Sequence, residues 1–305
     1  MMNKLHVNTS NLFEYFLSNK VKRRSEKIII YIAIISFILH LALISFVNLG
    51  IIDFNDATKL LNNPISAIYT PFSFILIYEV YLLVYYLPKS TTIYIGKQYE
   101  IISLIIIRRI FKDLSNLEFT NNWFQNKYDL IFMCDLLAII ILFLLIYYFY
   151  KLNDENESAR KKELELEPEI ISFIKLKKII ATVLVPIFLL LAIYSLTNWL
   201  TESFASIGKF VYDLKDINKI FFDDFFTILI LVDVLLLLFS FLHSDNFSKV
   251  IRNSGFIIST ILLKLSFGTE GVLNSLLIVC AVLFGVIILK IHNLYEKRIE
   301  FKNNL

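Results

Sequence analysis

The stretch that decides the fold is ILLKLSFGTEGVLNSLLIV, residues 261–279. Two apolar segments meet in it at a five-residue break, 267–271. The break is either the lining of an ion pathway or the turn of a helical hairpin. Five extended residues at ~3.3 Å each rise only ~16 Å, which barely returns a chain from the middle of a bilayer. A hairpin turn asks less of the sequence, so the residues favour the hairpin and leave the pathway open.

Length and composition place the chain in lipid. Of its 305 residues 57% are hydrophobic, and several apolar runs exceed the ~18 residues that mark a membrane-spanning helix. We predict an all-α, polytopic helical membrane protein with roughly six to seven transmembrane helices and two or three interfacial amphipathic helices. The lipid bilayer is therefore its first predicted partner. The predicted location is the cell membrane, with several crossings and a cytoplasmic N-terminus.

Seven apolar segments carry this prediction. They lie at about 28–49, 65–87, 128–150, 177–199, 222–242, 250–266 and 271–292. Between them, residues 92–114 and 203–220 mix polar and apolar residues in the manner of interfacial helices. Arg108, Arg109 and Lys112 are the predicted anchors of 92–114 at the membrane surface.

The same pattern predicts three regions along the chain. Residues 1–27 form a cytoplasmic amphipathic N-terminal segment, because a basic cluster precedes the first apolar run. Residues 28–199 form a four-helix membrane bundle that contains the interfacial helix 92–114 and a hydrophilic loop, 151–176. Residues 200–305 add a linker helix and pore-like C-terminal helices.

Topology is predicted from the positions of Lys and Arg, which are enriched on the cytoplasmic side. If all seven segments cross and the N-terminus is inside, 16 of these residues lie inside and 14 outside, which is no bias. If 250–266 instead enters and returns on one side, the counts become 19 and 11. The re-entrant arrangement fits the rule better, although the seven basic residues of 151–178 then lie outside.

Several function classes are not indicated by the sequence. The net charge of +3 comes with no basic stretch in a nucleic-acid-binding context, so we predict no nucleic-acid partner. The four histidines are scattered and both cysteines lie in apolar runs, which predicts neither a metal site nor a cofactor. No nucleophile–base pair or phosphate-binding loop is visible, so an enzyme is not expected.

Ionisable residues inside the apolar segments are the functional candidates, because charge is costly in a membrane. Glu79 and Asp135 lie ~12 Å and ~10 Å along their helices from the same membrane face. The two carboxylates either bind a cation or share a proton, or they form a structural pair that tyrosines or Arg108 supply with hydrogen bonds. The structural pair is favoured. Asp233 and Lys264 are predicted to form a buried ion pair. If the pair has a function, it lies beside a permeation path.

Four features of the layout carry a family resemblance. They are Glu79, NKYDLIFMCDLLAII at 126–140, the linker 203–220, and STILLKLSFGTEG at 259–271. In this order, with four spans first and one span last, they resemble the six-helix voltage-sensor-type cation channel superfamily.

The resemblance implies a selectivity filter at Thr269 and Glu270, where acidic side chains or carbonyls hold cations. It does not extend to strong voltage gating, because no charge lies between Lys178 and Trp199 in the fourth span.

The leading functional hypothesis is an ion-conducting or permeability-altering, channel-like subunit that assembles as a homo-oligomer. The alternative is a non-conducting sensor or partner-binding subunit. It would act through the interfacial helices and the 151–178 loop on a soluble cytoplasmic partner. A small-solute transporter is less favoured, because glycines and buried polar residues are few.

Overall fold

The computed structural model describes residues 12–50, 64–114, 127–160, 168–204, 217–242 and 247–303. Every element of secondary structure in these ranges is helical. The elements are α1 (Asn19–Asn48), a 3-10 helix (Pro64–Ile68), α2 (Tyr69–Tyr86), α3 (Thr91–Leu114), α4 (Lys127–Arg160), α5 (Pro168–Phe204), α6 (Ile217–Leu242), α7 (Phe247–Phe267) and α8 (Val272–Asn303). A shorter helical stretch, 12–17, precedes α1.

Six helical stretches among the described residues are long and apolar enough to cross a bilayer. They are Leu12–Asn48, Asp129–Asp154, Ser172–Tyr194, Asp224–Phe241, Phe247–Phe267 and Val272–Arg298. A shorter apolar stretch, Thr70–Tyr86, lies in α2. The chain is therefore an all-α, multi-pass integral membrane protein, as its composition predicts.

The chain divides into two compact units. Unit 1 comprises Met1–Tyr85, Ile105–Met133 and Thr182–Phe222, and unit 2 comprises Tyr86–Leu104, Cys134–Ala181 and Asp223–Leu305. Most of the buried polar side chains described below lie in unit 2.

Helix ends differ from the sequence prediction where polar residues continue a helix. α4 extends to residue 160 and α5 begins at Pro168, so both ends of the predicted loop 151–176 are helical. The Glu, Lys and Arg residues there are strong helix formers, which explains the extension. The ends of the predicted linker helix 203–220 likewise belong to α5 and α6, and 205–216 lies outside the described residues.

The break at 267–271 is a turn. The amide of Thr269 donates to the carbonyl of Ser266 at 3.0 Å, and the amide of Asn274 donates to the carbonyl of Gly271 at 3.2 Å. Gly271 has φ of 66°, a left-handed conformation that glycine adopts without a steric penalty. These bonds end α7 and start α8 within four residues.

The two helices joined by this turn pack antiparallel along their length. Contacts link Ser259 to Ala281 near the middle, and Ser248 to His292 at the far end. With 21 residues, α7 is ~32 Å long, which matches the ~30 Å hydrocarbon core of a bilayer. The break is therefore the turn of a helical hairpin, and α7 is long and apolar enough to cross a bilayer.

Close packing at Gly285 holds this hairpin against α3. The hydroxyl of Tyr99 donates to Ser259 Oγ at 2.7 Å, and Ser259 in turn donates to the carbonyl of Ala281 at 2.7 Å. A side chain at Gly285 would collide with the Tyr99 hydroxyl. The buried hydroxyls are thus satisfied only because residue 285 has no Cβ.

We expect Gly285→Ala to lower the free energy of unfolding by about 1–3 kcal/mol through overpacking, despite the higher helix propensity of alanine. Adding Tyr99→Phe removes the colliding oxygen and should recover part of the loss. Gly268→Ala is the matched control, because a Cβ there meets only the carbonyl of Leu265 at 3.4 Å. Thermal unfolding in detergent checks all three, and equal losses at Gly268 and Gly285 would contradict the packing argument.

Candidate functional site

Glu79 forms a buried ion pair in unit 1. Its Oε2 accepts from Arg108 Nη2 at 2.6 Å, and the exposed fractions of the two side chains are only 4% and 3%. Arg108 Nη1 also donates to the carbonyl of Phe72 at 3.4 Å. A buried carboxylate with its own guanidinium is a structural pair of the kind that orients helices.

This pair revises one predicted role on α3. Arg108 cannot anchor a surface helix, because it is buried and bound to Glu79. The polar side of α3 here faces a membrane acid rather than lipid headgroups. Arg109 is partly exposed, and the side chain of Lys112 lies outside the described residues.

Asp135 has a different environment, in unit 2. It is fully buried and accepts a hydrogen bond from Ser275 Oγ on α8. Of the two acids predicted to share a site, Glu79 thus pairs with Arg108 in unit 1, and Asp135 bonds Ser275 in unit 2.

Asp233 lies at the centre of a buried polar cluster in unit 2. It is 5% exposed, and it stands about 14 Å along α6 from Asp224, the residue that opens the apolar stretch. Gln98 Nε2 donates to Asp233 Oδ2 at 3.3 Å, a long hydrogen bond. Lys177 supplies the positive charge that acts on this carboxylate. We call Tyr94, Gln98, Lys177 and Asp233 the Asp233 cluster.

The predicted pair of Asp233 with Lys264 is wrong. Lys264 is partly exposed and forms no ion pair with a described residue. The reason is its position on α7, whose buried face runs through Phe256, Thr260, Leu263 and Phe267. Lys264 lies beside that face, so its chain does not reach the interior of unit 2.

Two oxygen atoms of the Asp233 cluster make no hydrogen bond of normal geometry with a described residue, although the Tyr94 hydroxyl lies near enough to Asp233 and Gln98 to interact with both. They are the hydroxyl of Tyr94 and Oε1 of Gln98, both buried. Tyr94 and Gln98 are four residues apart on α3, so they share one helix face, and both lie next to the Asp233 carboxylate. Buried polar atoms normally have partners, so these two oxygens stand out among the described side chains, as do both carboxylate oxygens of Asp129.

The polar contacts of Lys177, the cationic side of the cluster, are long, and its ammonium group also lies 5.1 Å from the centre of the Phe173 ring. Lys177 Nζ donates to the carbonyl of Lys89 at 3.3 Å and to Thr91 Oγ1 at 3.4 Å, and it makes no salt bridge with a described residue. Arg252 lies near enough to Lys177 for repulsion between the two positive charges. Lys177 therefore balances the charge of Asp233 without a direct bond to it.

A second set of polar side chains, the His292 relay, lies at the open end of the α7–α8 hairpin, and all but the half-buried Glu296 are buried. It consists of Ser248, Arg252, His292 and Glu296. Arg252 Nη1 lies 3.3 Å from His292 Nε2, and Ser248 Oγ lies 2.7 Å from both His292 Nδ1 and Glu296 Oε1. Since arginine only donates, these distances assign the proton of His292 to Nδ1. The donors then run in one direction, from Arg252 through His292 and Ser248 to Glu296.

Thr269 and Glu270 stand in the hairpin turn. Thr269 Oγ1 donates to the carbonyl of Ser266 at 2.8 Å, which closes the C-terminus of α7. Glu270 is exposed. Neither side chain lies in the Asp233 cluster or in the His292 relay.

Sequence reasoning identified Asp233 but missed Tyr94, Gln98 and Lys177. A usable signal was the i, i+4 spacing of Tyr94 and Gln98, which places both on one helix face. Lys177 stood at the margin of an apolar segment, where a basic residue is ordinary. Among the described residues no three His, Cys, Asp or Glu side chains lie close enough together to hold a metal ion.

Comparison with known protein families, curated proteins and solved structures finds no match for this chain.

The Glu79–Arg108 pair makes a testable prediction. Arg108→Met or Glu79→Leu alone leaves one charge buried without its partner, and each should cost about 3–5 kcal/mol of unfolding free energy. The double variant removes both charges and should recover most of that loss, as measured by thermal unfolding in detergent. Additive losses in the double variant would contradict a direct pair.

Proposed function

We propose that the protein moves a small cation, either a proton or a monovalent metal ion, across the membrane, with the Asp233 cluster as its binding station. The observation that supports this most is the convergence of a buried carboxylate with two buried oxygens that make no hydrogen bond of normal geometry with a described residue. Intramembrane carboxylates that are not fully paired mark ion and proton routes in many membrane proteins.

The chemistry of the cluster suits a cation. The oxygens of Asp233, Gln98 and Tyr94 are all acceptors, and together they replace part of the water shell that an ion loses in the bilayer. A proton needs less: it binds the carboxylate itself, and Tyr94 and Gln98 then bond the neutral acid. Both ions neutralise a buried negative charge, which lowers its desolvation cost.

Lys177 sets the balance between the loaded and the empty site. While the site is empty, the lysine charge offsets that of Asp233 across a gap. A bound cation takes over that role and repels Lys177. The long hydrogen bonds of Lys177 to Lys89 and Thr91 hold it weakly enough for such an exchange.

We further propose that the functional particle is a homo-oligomer. The polar side chains of one subunit are too few to line an aqueous pore alone, whereas repeated copies bring several Asp233 clusters to one assembly. Catalysis of a chemical reaction plays no part in this proposal.

Asp233→Asn should abolish most of the transport. The change keeps the shape and removes the charge, so ion flux should fall roughly tenfold or more, in line with ~1.5–3 kcal/mol for a bond to a charged group. Flux is measured with the purified chain in liposomes, with dyes for protons, Na⁺ and K⁺ under a clamped membrane potential. Asp224→Asn is the matched control, since Asp224 lies on the same helix but is exposed.

Liposomes that stay tight to all three ions with the wild-type chain would overturn the proposed function. Equal losses of ion flux in the Asp233 and Asp224 variants would show that the ion does not bind at Asp233. The unfolding midpoint of each variant separates a lost site from a lost fold.

The variant Tyr94→Phe tests the contribution of the Tyr94 hydroxyl oxygen alone. It removes one hydroxyl and keeps the ring, so the half-saturating ion concentration should rise about threefold to tenfold, the worth of a hydrogen bond of ~0.5–1.5 kcal/mol. Tyr147→Phe, at a residue that is 68% exposed on α4, is the control and should leave flux unchanged. An unaltered concentration dependence in Tyr94→Phe would remove this oxygen from the site.

A further inference from the structure

A row of four basic side chains lies on one face at the start of α1. Lys20, Arg23, Arg24 and Lys27 are spaced by three, four and seven residues, which places them on a single helix face. All four are exposed. We call these residues the basic stripe, which extends about 10 Å along the helix.

The neighbouring face of the same helix is held by tyrosines of α2. Tyr85 donates a hydrogen bond to Asn19 Oδ1, and Lys22 Nζ lies 5.1 Å from the centre of the Tyr85 ring. Tyr78 donates to Glu26 Oε2 at 3.2 Å. These contacts fix the rotation of α1, so the basic stripe keeps one direction, away from α2.

The stripe stands at the edge of the hydrocarbon. The helix α1 has 30 residues and measures ~45 Å at ~1.5 Å per residue, against ~30 Å of hydrocarbon, and the short helical stretch 12–17 precedes it. The apolar run begins at Ile28, directly after the last basic residue of the stripe. The surplus length therefore places residues 12–27 at the level of the headgroups.

Exposed apolar side chains accompany the charges in the preceding turn. Leu12, Tyr15 and Phe16 are 42%, 72% and 37% exposed. Apolar residues in front of a basic face are the usual composition of a helix that lies in the headgroup layer. A soluble anion would use the charges alone, whereas a phospholipid uses both parts.

We propose that the basic stripe is a binding site for acidic phospholipids, and that their phosphate groups bridge Arg23 and Arg24. Arginine binds phosphate oxygens through two parallel hydrogen bonds, and clustered basic residues next to a span attract anionic headgroups. Lys20 and Lys27 flank the arginines by one helical turn on each side and extend the site to neighbouring headgroups. The site is independent of the Asp233 cluster and of any transport activity.

The experiment titrates purified full-length chain in neutral detergent with phosphatidylglycerol and follows the unfolding midpoint. The stripe variant carries Lys20→Gln, Arg23→Gln, Arg24→Gln and Lys27→Gln. The matched control loses the same charge at four exposed lysines elsewhere, Lys151, Lys175, Lys178 and Lys290, each changed to Gln. Phosphatidylcholine and inorganic phosphate are the comparison ligands.

We expect the half-saturating phosphatidylglycerol concentration to rise about tenfold or more in the stripe variant and less than about twofold in the control. Neither phosphatidylcholine nor inorganic phosphate should stabilise the wild type. Equal shifts in the two variants, or stabilisation by inorganic phosphate, would overturn the proposal. A photoactivatable phosphatidylglycerol on the wild-type chain gives a second measurement. Its crosslinks should fall within 12–27, and crosslinks spread over other helices would count against the site even if the stripe variant failed to fold.

Discussion

Hydrocarbon offers no hydrogen-bond partner, so each polar group that enters the bilayer has to be paired within the protein. The backbone meets this constraint because every described stretch that is long and apolar enough to cross is helical. Buried side chains meet it by direct pairing: Arg108 binds Glu79 at 2.6 Å, and Ser259 donates to the carbonyl of Ala281 at 2.7 Å. Apolar contacts are less decisive, because lipid tails are as apolar as leucine and gain little from exchange with it. The polar contacts therefore specify which helices meet.

This pairing is incomplete at two places among the described residues, the Asp233 cluster and the carboxylate of Asp129 at the start of α4. Asp233 receives one long hydrogen bond from Gln98, while the hydroxyl of Tyr94 lies nearby without a hydrogen bond of normal geometry. A purely structural network would close such gaps, since an unsatisfied buried polar atom costs roughly 1–3 kcal/mol. The His292 relay of the same unit shows what closure looks like, because each of its donors points to an acceptor. The contrast supports the proposed role of the Asp233 cluster, whereas the contacts of the His292 relay join α7 to α8.

The sequence was sufficient for the membrane class because run length alone decides whether a helix crosses. It was also sufficient to find the buried acids, since a charge inside an apolar run is conspicuous. Their partners could not be predicted from the sequence, because pairing depends on the rotation of each helix relative to its neighbours. Lys264 illustrates this: its spacing from Asp233 allowed an ion pair, but it lies off the buried face of α7. The helix ends at 160 and 168 were missed for another reason, as charged helix formers continue a helix past the apolar run.

The α3 helix shows why amphipathic pattern is ambiguous in a membrane protein. A helix with one polar face usually lies at the membrane–water interface, where that face contacts water and headgroups. This was the prediction for 92–114. A polar face has a second use, however, when neighbouring spans contain carboxylates that need donors. α3 supplies Gln98 to Asp233 in unit 2 and Arg108 to Glu79 in unit 1. Composition cannot distinguish the two uses, but the acids help: a buried carboxylate requires a donor, and α3 supplies it to Glu79 and Asp233, whereas Asp135 takes its donor, Ser275, from α8. Intramembrane acids and an amphipathic helix in one chain should therefore be interpreted together.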